Sequence, residues 1–121
     1  MKTSSAKAKG RSLQQWTRDR ILHAFPELTK DDVRSCSMGS QGEDIQLSPL
    51  ARSLFPFSIE CKCQEKVNIW DAYKQATANA VINNTNPLVI IKKNGVKQLA
   101  ILDAEVLIEL VRSQTRVYEN T

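Results

Sequence analysis

The 121-residue chain is predicted to fold as one α/β domain, a central mixed β-sheet flanked by helices, on three observations. Short alternating segments of strand type are interleaved with helix-periodic segments. Capping residues stand at the starts of the helical segments. A charged content of 25% and a hydrophobic content of 41% are those of an ordinary globular protein with one core. The predicted order is helix, strand, strand, short helix, strand, helix, strand, strand, helix.

Each element has a local reason. Ser12 caps a helix running to about Ala24, with Leu13, Trp16, Ile21, Ala24 and Phe25 broadly on one side. Gln14 falls beside Ile21 and Phe25 and faces inward, and His23 is placed on the helix surface near its end. Val33 to Ser37 reads as a strand, and Ser37 to Gly42 as a loop whose glycines allow close backbone approach to a phosphate. In Asp44-Ile45-Gln46-Leu47 the apolar side chains alternate with polar ones. Ser48-Pro49 starts a short helix to Leu54, and Pro56 ends it. Phe57, Ile59, Cys61 and Cys63 then share one face of a strand, and Ser58, Glu60 and Lys62 the other.

Asn68 caps a helix whose buried stripe is Ile69, Tyr73, Ala76 and Ala80, with Trp70 assigned to the core. Leu88 to Lys93 and Lys97 to Leu102 flank Asn94-Gly95, a hairpin signal. Asp103 caps a last helix with Ala104, Leu107, Ile108 and Val111 at helical spacing. The domain is expected over residues 11–113, with a basic, flexible arm at 1–10 and a tail at 114–121.

The chemistry concentrates at Asp44, Glu60 and Lys62. Residues two apart on a strand lie about 6.5 Å from each other, so the Glu60 carboxylate and the Lys62 ammonium converge. If the two segments pair, Asp44 joins them. Two carboxylates make a hard oxygen site suited to Mg²⁺ or Mn²⁺. A neighbouring lysine can orient water and offset charge on a phosphoryl group. An ion pair on a solvated strand face would use the same residues.

The run from Asp32 through Gly42-Glu43-Asp44 and Ser48-Pro49 to Glu60-Cys61-Lys62 and Asn68-Ile69-Trp70 resembles the PD-(D/E)XK nuclease superfamily. Within it, the chain is most similar to archaeal-type Holliday-junction resolvases and small endonuclease-like proteins of tailed bacteriophages. The resemblance covers roughly residues 9 to 110. It implies a restriction-endonuclease-like core and Mg²⁺-dependent hydrolysis of DNA, with branched DNA as substrate, a homodimer, and a role in phage DNA recombination or replication. It further implies that Asp44, Glu60 and the Cys61 backbone carbonyl hold the metal, that Lys62 is catalytic, and that Gln75 lies near the scissile phosphate.

Two positions depart from the family pattern. Glu43 stands where the superfamily has proline, either as a supporting carboxylate or as an alternative ligand. Gln14 stands where resolvases carry a glutamate in the first helix, which leaves open the number of metals and a reading as a binding module without cleavage, or as a nuclease acting on linear DNA or RNA.

Charge supports a polyanionic partner. Six basic residues against one acid within residues 1–20 leave +5 of a total of +4, so the remainder sums to −1. Lys9, Arg11, Arg34, Ser40, Lys66 and Lys74 are the candidate nucleic-acid contacts, with Lys92, Lys93 and Lys97 as possible extensions of the track. Three cysteines, an odd count, argue against a disulfide framework. No segment has the length and apolarity of a membrane span or the h-region of a secretory signal. The protein is expected to be intracellular, in the host cytoplasm if phage-encoded.

Overall fold

The structure, a computed structural model, describes residues 2–36 and 42–119, with side chains from 5 to 36 and from 42 to 115. Nine elements follow in order: α1 (Lys2–Ala24), β1 (Val33–Ser35), β2 (Ile45–Leu47), α2 (Pro49–Leu54), β3 (Phe57–Cys63), α3 (Ile69–Asn83), β4 (Asn86–Lys92), β5 (Leu99–Leu102) and α4 (Ala104–Glu119). The five strands form one mixed sheet in chain order. Only the β3–β4 pair is parallel, because only there does a helix, α3, carry the chain back across the sheet. The expected α/β class and order are what the chain adopts.

Strand alternation sorts the sheet into two faces. Phe57, Ile59 and Cys61 of β3 join Leu13 and Ile21 of α1, together with Val33, Ile45, Leu88 and Ile90, in the larger core. On the other face Val89 packs with Ala72 and Ala76 of α3. Alanines at this spacing let α3 approach the sheet closely, which leaves the Glu60 and Lys62 face of β3 beneath the helix.

Three of the four expected caps form, those at Ser48, Asn68 and Asp103. Ser48 accepts from the Ala51 amide at 3.1 Å and donates to Asp32 at 2.7 Å, tying α2 to the start of β1. Asn68 accepts from the Asp71 amide at 3.1 Å, and Asp103 from the amides of Glu105 and Val106 at 2.8 and 3.2 Å. Ser48→Ala removes both of its bonds and is expected to cost about 1 kcal/mol of stability, read by urea unfolding.

Several boundaries and faces differ from the sequence reading. The first helix begins at Lys2, so Ser12 is an interior residue and the basic segment before it continues α1. The last helix runs to Glu119, through the segment expected as a tail. Trp70 is 83% exposed, because two residues on a helix are about 200° apart and the inward position belongs to Ala72. Ile69 is 37% exposed as well. The face of α4 formed by Leu107, Ile108 and Val111 is also exposed, and among the described residues of that helix only Val106 packs against the core. Among the described residues, no helix is long and apolar enough to cross a membrane.

Candidate active site

The site forms where β2 stops pairing with β3. The two strands meet in register at Ile45 and Ile59, and the Asp44 amide donates to the Ile59 carbonyl at 3.1 Å. Before Asp44 the chain turns away at Gly42, whose φ of +94° is a conformation glycine adopts readily. The edge of β3 is therefore open at Cys61. Asp44 fills it with its side chain: Oδ2 accepts from the Cys61 amide at 2.7 Å. In an extended strand the N–H and C=O of one residue point to the same side, so the Cys61 carbonyl faces that edge too.

Glu60 leaves β3 on the α3 face and is only 7% exposed. Its Oε1 is buried without a hydrogen-bond partner. Burial, followed by the charge of Asp44, pushes the Glu60 carboxyl up to about 7, against the opposing pull of Lys62; a hydrogen bond to Asp44 adds to the rise. Burial also raises Asp44, countered by the Cys61 amide and the hydrogen bond from Glu60. Burial thus holds both carboxyls above their ordinary values. Lys62, two residues on, is half-buried on the Glu60 side of the strand.

This donor set fits a divalent cation. Two carboxyls raised by burial, one with an oxygen lacking any hydrogen bond, would be relieved by a cation beside them. No group of three or more His, Cys, Asp and Glu side chains is gathered among the described residues, and the oxygen donors that could hold a cation here are Asp44, Glu60 and the Cys61 carbonyl. The Cys61 thiol is not among them. It lies on the opposite face 3.8 Å from Thr17 Oγ1, and burial pushes it up to about 12.

Glu43 is corrected from a possible metal ligand to a buried anchor. Its Oε1 accepts from Arg52 Nη2 at 2.5 Å and Asn83 Nδ2 at 2.9 Å, and its Oε2 from Arg52 Nη1 at 3.3 Å. A carboxylate neutralised by a forked guanidinium and an amide has little capacity left for a cation. Instead it ties α2 and α3 to the residue before Asp44. Arg52 and Asn83 were missed by the sequence reading; they lie 9 and 40 positions from Glu43, and nothing local marks either as its partner.

The remaining candidates are distributed around this centre. Gln14 is buried, at 4% exposure, in α1, the helix that covers the Cys61 face, whereas Glu60 leaves the other face. Gln75, Lys66, Lys74, Lys9 and Arg11 are exposed. Arg34 is exposed and pairs with Asp31 at 3.4 Å. Ser40 lies outside the described residues. Lys66, Lys93 and Lys97 line a cavity of about 480 Å³ beyond Lys62, floored by Val67, Ile91 and Leu99. Neither Asp44 nor Glu60 lines that cavity; its one acid, Glu65, accepts from the Asn94 amide at 2.8 Å. Lys92 lines it too, but its Nζ donates to the carbonyls of Val96 and Lys93 at 2.6 and 3.1 Å, clamping the β4–β5 turn. Lys9 lines a second cavity with Cys63 and Gln64, which brings the basic helix α1 to the same end of the sheet. Cys36, Cys61 and Cys63 are all free thiols. Compared with protein-family models, curated proteins and solved structures, the chain matches none.

Proposed function

We propose that the protein is a metal-dependent endonuclease that hydrolyses phosphodiester bonds in DNA. The observation that carries this reading is the Asp44–Glu60 pair: Asp44 is anchored by the Cys61 amide at an open strand edge, and Glu60 is buried next to it with an oxygen lacking a hydrogen bond and Lys62 adjoining. Burial of acids at the cost of stability is what a catalytic centre requires and a solvated ion pair does not.

Asp44, Glu60 and the Cys61 carbonyl are the groups that would hold Mg²⁺ or Mn²⁺. When bound there, the cation would polarise the phosphate and acidify water. Asp44 is held for this by the Cys61 amide, and Glu60 becomes available once its proton leaves. Lys62 offsets the negative charge that grows on the phosphoryl oxygens as water adds to phosphorus and the ester P–O bond breaks. Lys66, Lys93, Lys97 and the basic side of α1 would follow the DNA backbone. The resemblance to junction resolvases favours branched DNA and a homodimer acting on two strands. It likewise favours an intracellular role in phage DNA processing.

A reading as a binding module without cleavage draws on Gln14, an uncharged amide where the resembled resolvases have an acid. Purified protein incubated in Mg²⁺ or Mn²⁺ with junction, flap, linear duplex and single-stranded substrates distinguishes these. Cleavage lost in Lys62→Ala with DNA affinity retained supports the nuclease. Binding with no cleavage of any substrate by the wild type supports the module.

Cleavage is expected to depend on pH with a definite sign. Because Glu60 must lose a proton near pH 7, the rate rises from about pH 6 to about pH 8 at fixed low Mg²⁺. Higher Mg²⁺ competes with the proton and shifts the rise to lower pH. A profile independent of Mg²⁺ concentration would remove Glu60 from the metal site.

A further inference from the structure

Among the described side chains of α4, only Val106 packs against the core. Every one from Leu107 to Thr115 is exposed. Leu107 is 49%, Ile108 63% and Val111 58% exposed, and with Ala104 they form one continuous helical face. A helix of this length is marginal in water unless its apolar face is covered.

The charges beside that face indicate what covers it. Glu105, Glu109 and Arg112 fall together on a stripe roughly a third of a turn round from the apolar face. Among the described residues none of the three has an ion-pair partner. Acids occupy the first half of the stripe, and bases the second, where Arg116 follows in the sequence. In an antiparallel two-fold pairing of helices, a flanking stripe meets its own copy run backwards. Centred near Leu110 and Val111, such a pairing sets Glu109 opposite the second copy's Arg112. A parallel pairing would bring the stripe against the opposite flank, where these complements do not meet.

We infer that α4 is a self-association surface, whose occupant is the α4 of a second copy of this chain packed antiparallel about a two-fold axis. The apolar contact is made by Leu107, Ile108 and Val111 of each copy, and the orientation is selected by the Glu109–Arg112 pairs, each formed twice. The inference rests on the helix alone and not on the nuclease reading.

Sedimentation velocity of the full chain over a dilution series tests it, with circular dichroism to verify folding. The wild type is expected to reach twice the 13.6 kDa chain mass. Ile108→Asp, at an exposed position, is expected to remain folded and monomeric. Glu109→Arg and Arg112→Glu each place like charges opposite one another twice, and each is expected to weaken the dimer at least about tenfold. An equimolar mixture of the two variants restores opposite charges at both contacts of the mixed dimer, one in the original order and one reversed, and is expected to recover association near the wild-type level. A wild type that stays monomeric, a dimer unaffected by all three substitutions, or a mixture that associates no better than either variant alone would each overturn the proposal.

Discussion

Glu60→Gln is expected to abolish cleavage and at the same time stabilise the protein at neutral pH. The loss of activity should reach about 10³-fold or more, because the amide cannot supply the charge that the cation and the developing transition state require. The gain in stability follows from linkage. Burial raises the Glu60 carboxyl from 4.5 to about 7, so the folded state prefers the protonated acid. Native stability therefore falls as pH rises from the unfolded value of about 4.5 through about 7, and the penalty is constant above that. Glutamine has no such penalty and keeps the hydrogen bond that Glu60 gives Asp44. The variant should exceed the wild type by on the order of 2 kcal/mol at about pH 8 and converge with it near pH 4. Urea unfolding of both proteins across that range, without metal, measures the difference directly. Added Mg²⁺ should raise the wild type and leave the variant nearly unchanged. A variant less stable than the wild type at the alkaline end of that range would mean that Glu60 is structural, and cleavage at the wild-type rate would end the nuclease assignment.

Arg52→Met is expected to be the most destabilising single change outside the hydrophobic core. It leaves the Glu43 carboxylate, 8% exposed, with Asn83 as its one remaining partner among the described residues. Removing one member of a buried ion pair typically costs about 3–5 kcal/mol, much of it the penalty of the charge left behind. Glu43→Gln in the Arg52→Met background removes that charge and should recover more than half of the loss, a coupling that a double-mutant cycle reads. The pair also has a consequence for the site. Glu43 links α2 and α3 to the residue next to Asp44, so the double variant should fold yet cleave at least about tenfold more slowly, through displacement of Asp44. Unimpaired cleavage by the double variant would reduce the Glu43 network to a purely structural role.

These two predictions differ in how far they were legible before the structure. The alternation in Ile59-Glu60-Cys61-Lys62 and in Asp44-Ile45-Gln46-Leu47 was enough to put Glu60 and Lys62 on one strand face and Ile45, Leu47 and Ile59 in the core. Ser48, Asn68 and Asp103 announced three helix starts, because a cap bonds within three residues of itself. Such interactions close over a few positions, and side-chain order along the chain encodes them directly.

Other features depended on the path of the chain. The hydrogen bond from the Cys61 amide to the Asp44 carboxylate exists because pairing of β2 with β3 ends short of Cys61, and the end of strand pairing is a property of two segments and the turn at Gly42. Likewise Glu43 became an anchor rather than a ligand because folding brought Arg52 and Asn83 to it from distant positions. Helical periodicity announced the apolar faces of α3 and α4 but not their burial: Ala72 displaced Ile69 and Trp70 from the sheet, and the described side chains of α4 beyond Val106 were left exposed. Local patterning thus reported which groups share a face, through rules that act over two to four residues. What each face meets, and which charges are neutralised, was decided by contacts between segments that no local rule relates.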